Sequence, residues 1–412
     1  MADVTNYIDR LVAELCPDGV EYRPLSDVVE KNYGGGTPSK AKEEYWGGDI
    51  PWASVGDLSN DLMEILDTRS KITSAGVSGS STNVVPAGAV IVAIKIAPGK
   101  MKIAGVDLAI NQDIRGLVLN DLMNARFLTY YFRTLRFAGH GTIVKSITNK
   151  RLMDTEVPVP PLEIQEAIVE ILDKFTNLEA ELEAELEART LQYEYYRDSL
   201  FEALDCPRVP LGELGKFYGG LKGKTKNDFE SSGARYISYK NVYENISADF
   251  TWPDFVQVKE GENQLSLMKG DILLTGSSEN MEESGLSSVV TKEPEEKAYL
   301  NSFSICYRLN DPSILNPEFS KYLFRSRLAR KQIIRTAQGV TRFNVSKKKL
   351  ANVSIPIPSL EEQQRIVDIL DRFDALTSSL SEGLPAELAA RRSQYEYYRD
   401  QLLSFPRKSE NQ

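Results

Sequence analysis

Residues 158–175 read PVPPLEIQEAIVEILDKF, and residues 356–373, displaced by 198 positions, read PIPSLEEQQRIVDILDRF. Further along, QYEYYRD at 192–198 returns letter for letter at 394–400, an offset of 202 because the second copy has four extra residues around Glu382–Pro385. A seven-residue identity inside a longer register match marks an internal repeat. The repeat also extends backward through less similar sequence. GTIVKSITNKRL (141–152) aligns with GVTRFNVSKKKL (339–350), and AINQDIRGLVLN (109–120) with YLNSFSICYRLN (299–310), setting Asn111 against Asn301. PAGAVIV (86–92) matches MKGDILL (268–274), NYGGG (32–36) matches FYGGL (217–221), and Cys16-Pro17 sits against Cys206-Pro207. The chain is therefore written twice, each half a variable globular domain followed by a near-invariant helical segment. The segments are 1–156 with an N-terminal helix, 157–205, 206–350, and 351–412 with a C-terminal tail.

Pro160 and Pro161 suit the first turn of a helix, and Glu163 and Glu166 complement its positive N-terminal dipole. Apolar residues then fall at Ile164, Ile168, Ile171, Phe175, Leu178 and Leu182, alternating steps of 4 and 3. That is a heptad seam, repeated at Ile366, Ile369, Phe373, Leu376 and Leu380. Nothing breaks the first helix before Leu204, so it can extend about 65 Å. Segment 157–205 carries 13 acidic and 3 basic groups. A helix so charged does not stand alone in water on one apolar stripe, and its natural partner is the second copy. The pattern predicts an antiparallel two-helix coiled coil alternating with two globular domains. Short apolar runs such as AVIVAIKI (89–96), DILLTG (271–276) and SSVVT (287–291) suit strands, and LMNARFLTYYFRTLRF (122–137) and PEFSKYLFRSRLARKQIIRT (317–336) suit helices, giving an α+β, or mixed α/β, class.

The seam also contains a tandem, LEAE at 178–181 and 182–185, with Leu178, Leu182 and Leu186 as its repeating leucines. Four residues advance a helix by about 6 Å with a net turn of about 40°, close to the ~34–36° of one base pair. The tandem reads either as a solvated charged face or as a spacer that sets distance and twist.

The net charge is −10, which at first sight argues against a nucleic-acid partner. Segment 157–205 by itself carries that excess, whereas 206–350 carries 22 basic against 17 acidic groups. Local charge is the better guide. No acid lies between Asp121 and Asp154, yet Arg126, Arg133, Arg136, Lys145, Lys150 and Arg151 do. Residues 319–360 are also acid-free, with Lys321, Arg325, Arg327, Arg330, Lys331, Arg335, Arg342, Lys347, Lys348 and Lys349. Matched basic stretches point to two phosphate-facing surfaces on double-stranded DNA. Base edges are read chiefly by Arg, Lys, Asn and Gln. GVTRFN offers Arg342 and Asn344, preceded by Gln338, and GTIVKS offers Lys145 and Ser146, preceded by His140. Two Gly-rich loops, GGGTPSKAK (34–42) and GGLKGKTK (219–226), let backbone approach a phosphate, with Lys40, Lys222, Lys224 and Lys226 supplying charge. Trp46, Trp52, Tyr236 and Tyr239 are available to stack on bases or to pack.

Catalytic readings fail on the residues. GGLKGKT misses a phosphate-binding loop because the required first glycine is Tyr218. An adenine methyltransferase would show Asn/Asp-Pro-Pro-Tyr/Phe, but Pro160-Pro161 is followed by Leu162. Pro253-Asp254 with Glu295-Glu296-Lys297 faintly resembles a metal-dependent nuclease, without a counterpart in the first half. Three cysteines and one histidine, His140, give no zinc spacing and imply a reducing compartment. With no apolar run near 18–20 residues and no signal-peptide pattern at the start, a cytoplasmic location is expected.

A variable domain, PxPPLxxQxxIVxILDxF, then QYEYYRD, all repeated, resembles the specificity subunit of type I restriction–modification systems. GGGTPSK followed by IPWASVGDL is similar to the opening of many of that family's target-recognition domains. The resemblance implies a non-catalytic subunit whose two domains each read half of a bipartite, asymmetric DNA site. Its helices would dock two modification subunits, through Gln165, Tyr195, Tyr196 and Arg197 and their repeats Gln363, Tyr397, Tyr398 and Arg399. It implies S-adenosylmethionine on the modification subunits and ATP and magnesium on restriction subunits, with no cofactor on this chain. The LEAE tandem resembles the short helix repeat that sets the gap between half-sites in some members. The EGLP of 382–385 breaks strict symmetry between the helices. The competing reading is a coiled-coil adaptor with two protein-binding domains and no DNA contact.

Overall fold

The computed structural model describes residues 2–60, 62–137, 145–259, 261–377 and 383–408. The chain divides into two compact units, Met1–Glu181 with Leu388–Gln412, and Leu182–Glu387. The four linear segments thus regroup: each unit takes one globular domain and half of each helical segment. The division falls inside the LEAE tandem.

In the first unit the main sheet runs in the order Val29–Gly34, Ile114–Leu119, Val90–Ala93, Met101–Ala104, Glu64–Ile65. Val90–Ala93 is a run of small and β-branched residues buried at every position, as a central strand covered on both faces requires. In the second unit the order is Gly215–Gly219, Ser304–Leu309, Ile272–Thr275, Ser287–Val289. The register repeats, with Ala93 opposite Ile114 in one unit and Thr275 opposite Ser304 in the other. A smaller sheet beside each contains a parallel pair, Trp46–Ala53 with Leu108–Ile110 and Ala234–Ile237 with Ala298–Leu300. The expected mixed architecture, repeated in sequence, is repeated in space.

The first helical segment is one continuous helix, Leu162–Glu202, about 60 Å long at 1.5 Å per residue. The second is two helices, Leu360–Thr377 and Gly383–Leu402. Leu380 and Glu382 lie outside the described residues, as do His140 and Gly141–Val144.

The heptad seam divides by function. Ile164 and Ile168 of the seam, with Leu172 next to it, are fully buried in the first unit's domain core, and Ile366 of the seam, with Leu370 next to it, in the second's. These residues, spaced by four, glue helix to domain. Pairing between helices starts at the phenylalanines. In the first unit Phe175 stacks on Tyr398 at 5.6 Å, with Glu179 bonded to Arg392 at 2.6 Å. Residue numbers rise on one helix as they fall on the other, so this pairing is antiparallel. In the second unit Phe373 stacks on Tyr196 at 5.5 Å, the same contact made by the repeated residues. Among the tandem leucines, Leu178 is 47% exposed while Leu182 and Leu186 are half-buried.

Both ends of the chain meet in the first unit. Val20 N–H donates to the Pro406 carbonyl at 2.8 Å, and Lys408 N–H to the Val20 carbonyl at 2.9 Å. Among the described residues no helix is long and apolar enough to cross a membrane.

Candidate nucleic-acid interface

In each unit three loops converge on one buried asparagine. The Asn111 N–H donates to the Ala53 carbonyl, and the Asn301 N–H to the Ile237 carbonyl, both at 3.0 Å. Each asparagine follows the parallel strand of the smaller sheet. Its side-chain oxygen then accepts from the amide two residues on, Asp113 N–H at 3.0 Å and Phe303 N–H at 2.9 Å, closing a tight Asx turn. The Gly-rich loop packs on the same residue. A Cβ on Gly35 would come within 1.8 Å of the Asn111 carbonyl oxygen, and one on Gly220 within 1.9 Å of that of Asn301. These glycines therefore serve a backbone crossing inside the protein. That corrects the expectation of a phosphate approach for Gly35 and Gly220 alone; a Cβ on Gly223 of the second loop would meet nothing within 4 Å. Trp46 and Trp52 pack edge-to-face at 5.2 Å and donate to the Ser39 and Gly36 carbonyls, holding the first loop in place rather than stacking on bases. Tyr236 likewise packs against Phe229.

The third loop leaves the central strand. The Ile94 N–H donates to the Asp113 carbonyl and accepts, through its own carbonyl, from Ile147 N–H, both at 2.8 Å. Gly276 repeats this with Phe303 at 2.8 Å and Val345 N–H at 2.9 Å. Ser146 thus pairs with Lys95, and Asn344 sits between Gln338 and Ser277. Gln338, Arg342 and Asn344 are exposed on a hairpin whose tip holds Gly339 at φ +146° and Val340 at 91% exposure. Arg342 lines a cleft of about 700 Å³ with Tyr239, Ser277, Ser278, Asn280 and Phe303. The Tyr239 hydroxyl donates to the Ser277 carbonyl at 2.8 Å.

The expected basic residues divide into two groups. Lys40, Lys145, Lys150, Arg151, Lys222, Lys226, Arg335, Lys347 and Lys348 are exposed. Partial burial, reinforced by the charge of nearby Lys222, pulls the Lys347 ammonium below the usual lysine range. Lys224 is different: its side chain is 4% exposed and paired with Glu262 at 2.6 Å. Arg126 bridges Glu64 and Asp173, and Lys321 bridges Glu318 and Asp371. Arg325 binds the carbonyls of Ser287, Val242 and Tyr243, and Arg330 those of Gly285, Glu282 and Ser284. Burial draws both guanidinium groups down to about 10. Arg330 thus holds the loop that follows Gly276, Arg325 ties the helix Tyr239–Glu244 to the strand Ser287–Val289, and neither is a phosphate contact.

A model of the family described as type I restriction modification DNA specificity domain matches residues 17–188 and again 205–390. The chain belongs to that family. It is 34% identical over 306 residues to the type I restriction enzyme EcoR124I/EcoR124II specificity subunit of Escherichia coli, covering 68% of this chain and 71% of that one. It is 28% identical over 411 residues to the EcoprrI specificity subunit of Escherichia coli, covering 92% of both. A solved chain from work on complex assembly and conformational transition of the type I R-M system superposes with a TM-score of 0.65 at 17% identity, covering 93% of this chain and 97% of that chain, and shares the fold. The protein is thus a DNA specificity subunit, a recognition component rather than a catalytic one.

In this specificity subunit the repeated helical motifs are largely spent internally. Gln165 and Gln363 are fully buried. The Gln165 amide donates to the Leu122 and Pro160 carbonyls and accepts from Asn124 N–H. Gln363 does the same with Ile314, Pro358 and Asn316. Neither can reach a partner, which corrects the expectation that they dock one. Tyr196 and Tyr398 stack on Phe373 and Phe175, although Tyr196 keeps 43% of its surface exposed. The side chains of Arg197 and Arg399 are only 13% and 17% exposed and pair with Asp198 and Asp400. Tyr195 and Tyr397 stay outward at 70% and 59%.

Sequence reasoning missed a second clamp. Tyr130 donates to Asp173 at 2.6 Å and Tyr322 to Asp371 at 2.5 Å. Burial and the adjoining carboxylates push both tyrosine hydroxyls up, keeping them protonated donors. The signal lay in the repeat itself, where LDKF and LDRF recur in register.

Proposed function

We propose that each unit reads one half of a bipartite duplex target, through the surface built around Asn111 in the first and Asn301 in the second. What carries this reading is the match of frame and mismatch of tips: the backbone bonds are the same, while the exposed side chains differ. A repeated scaffold with different tips suits an asymmetric site. Lys40, Lys145, Lys150 and Arg151 in the first unit, and Lys222, Lys226, Arg335, Lys347 and Lys348 in the second, would lie along phosphates. Ser146, Gln338, Arg342 and Asn344 would face base edges. Two modification subunits would dock on the helices, with Tyr195 and Tyr397 as outward anchors. They would bring S-adenosylmethionine, and restriction subunits would bring ATP and magnesium.

Salt titration tests the DNA reading. With six or more phosphate contacts, affinity for duplex DNA is expected to fall about 10³-fold between roughly 50 and 200 mM salt. A flat response, as a protein-binding adaptor would give, sinks the proposal. The tandem is tested separately. Removing residues 178–181 rotates the following helix by about 40°, so the recognised gap should shorten by one base pair in methylation mapping. An unchanged gap would rule out a spacer role.

A further inference from the structure

Phe303 is 63% exposed, yet both of its backbone polar groups are bonded within the unit. Its N–H is held by the Asn301 side chain at 2.9 Å, and its carbonyl accepts from Gly276 N–H at 2.8 Å. Asn301 is itself buried, its amide donating to the Ile237 carbonyl and the Ser304 hydroxyl. A Cβ on Gly276 would come within 2.5 Å of the Phe303 carbonyl oxygen, so the turn is gripped from both sides. A large aromatic ring is thus pushed into water by a rigid turn. Among the described residues it joins none of the unit's hydrophobic core clusters.

The same turn in the first unit carries Asp113. Its carboxylate is only 17% exposed and holds the ammonium of Lys95, 46% exposed, at 2.9 Å. One frame therefore presents an apolar ring in one unit and a tethered cation in the other. Beside Phe303 the cleft is lined by Arg342, Ser277 and Ser278 and by the carboxylates Glu244, Glu279 and Glu283, donors and acceptors suited to base edges rather than to phosphate. The apolar group that a base pair displays in the major groove is the thymine methyl.

We propose that Phe303 is a specificity-determining residue, packing against the 5-methyl of a thymine in the half-site read by the second unit. This rests on the DNA-reading function proposed above and goes beyond it by naming the contact and the base. The buried Asn301 is the positioning residue that keeps the ring outward.

The test uses the full chain assembled with the modification subunits of its own system. Sequences are first selected from randomised duplexes with the wild type; failure to enrich any bipartite sequence would overturn the DNA reading itself. With a target in hand, Phe303→Ala should lose base preference at one thymine of one half-site, leaving the other half unchanged. Replacing that thymine with deoxyuridine, which lacks only the methyl, should weaken wild-type binding by about fourfold, the worth of one buried methyl, and leave Phe303→Ala unaffected. Phe303→Leu, which keeps an apolar tip, should retain most of the preference. Because the ring is exposed, the alanine variant should melt within about 2 °C of wild type. Unchanged specificity, equal loss in both halves, or loss at a step insensitive to deoxyuridine but marked by increased 2-aminopurine fluorescence, the sign of an inserted wedge, would each overturn the thymine assignment while leaving the DNA reading intact.

Discussion

Arg308→Met is expected to destabilise the second unit by about 3–5 kcal/mol, the cost of leaving a buried charge without its partner. Arg308 grips Asp271 with two bonds, 2.7 Å from Nε and 2.6 Å from Nη2, and reaches the Ser266 carbonyl as well. The Asp271 side chain has no exposure to solvent, so water cannot take over the bonds. The location makes the loss functional as well as structural. Asp271 immediately precedes the central strand Ile272–Thr275, and Arg308 sits on Ser304–Leu309. The far ends of these strands deliver Gly276 and Phe303 to the candidate DNA surface. Urea denaturation should show the loss, and duplex selection should show preference fading in one half-site before the other. Adding Asp271→Asn to Arg308→Met should recover about 1 kcal/mol or more, since a neutral amide is cheaper to bury than an unpaired carboxylate. If Arg308→Met unfolds at the wild-type urea midpoint, the pair does not carry this load.

Gln165→Met should cost about 3 kcal/mol, with a similar loss for Gln363→Met. Methionine fills nearly the same volume, so the effect isolates hydrogen bonding from packing. Each glutamine satisfies three backbone groups, one buried and two part-buried, and each buried group left unpaired costs about 1–3 kcal/mol, with less for those that water can reach. The amide of Asn124, which donates to Gln165 at 2.8 Å, should exchange with solvent markedly faster in Gln165→Met, and Asn316 in Gln363→Met. Each substitution should act in its own unit, because its three partners all lie there. A partner-docking role predicts the opposite pattern: normal stability and normal exchange, with weakened assembly.

The sequence determined the repeat, the alternation of domain and helix, and the antiparallel pairing, because helix periodicity and duplicated motifs are local properties that survive without coordinates. It also marked Asn111 against Asn301, the residue on which both candidate surfaces turn out to be built. Which cations face outward was settled only by the tertiary structure. Lys224 looks free in a Gly-rich loop, but its carboxylate partner, Glu262, lies 38 positions away. Arg325 and Arg330 stand in a window without acids, yet their donors are taken up by carbonyls from residues 242–243 and 282–287. Gln165 and Gln363 recur in the most repeated motif because their amides close the joint between helix and domain. A charge or an amide reports its type in the sequence, but whether it is spent depends on groups that only folding brings within 3 Å.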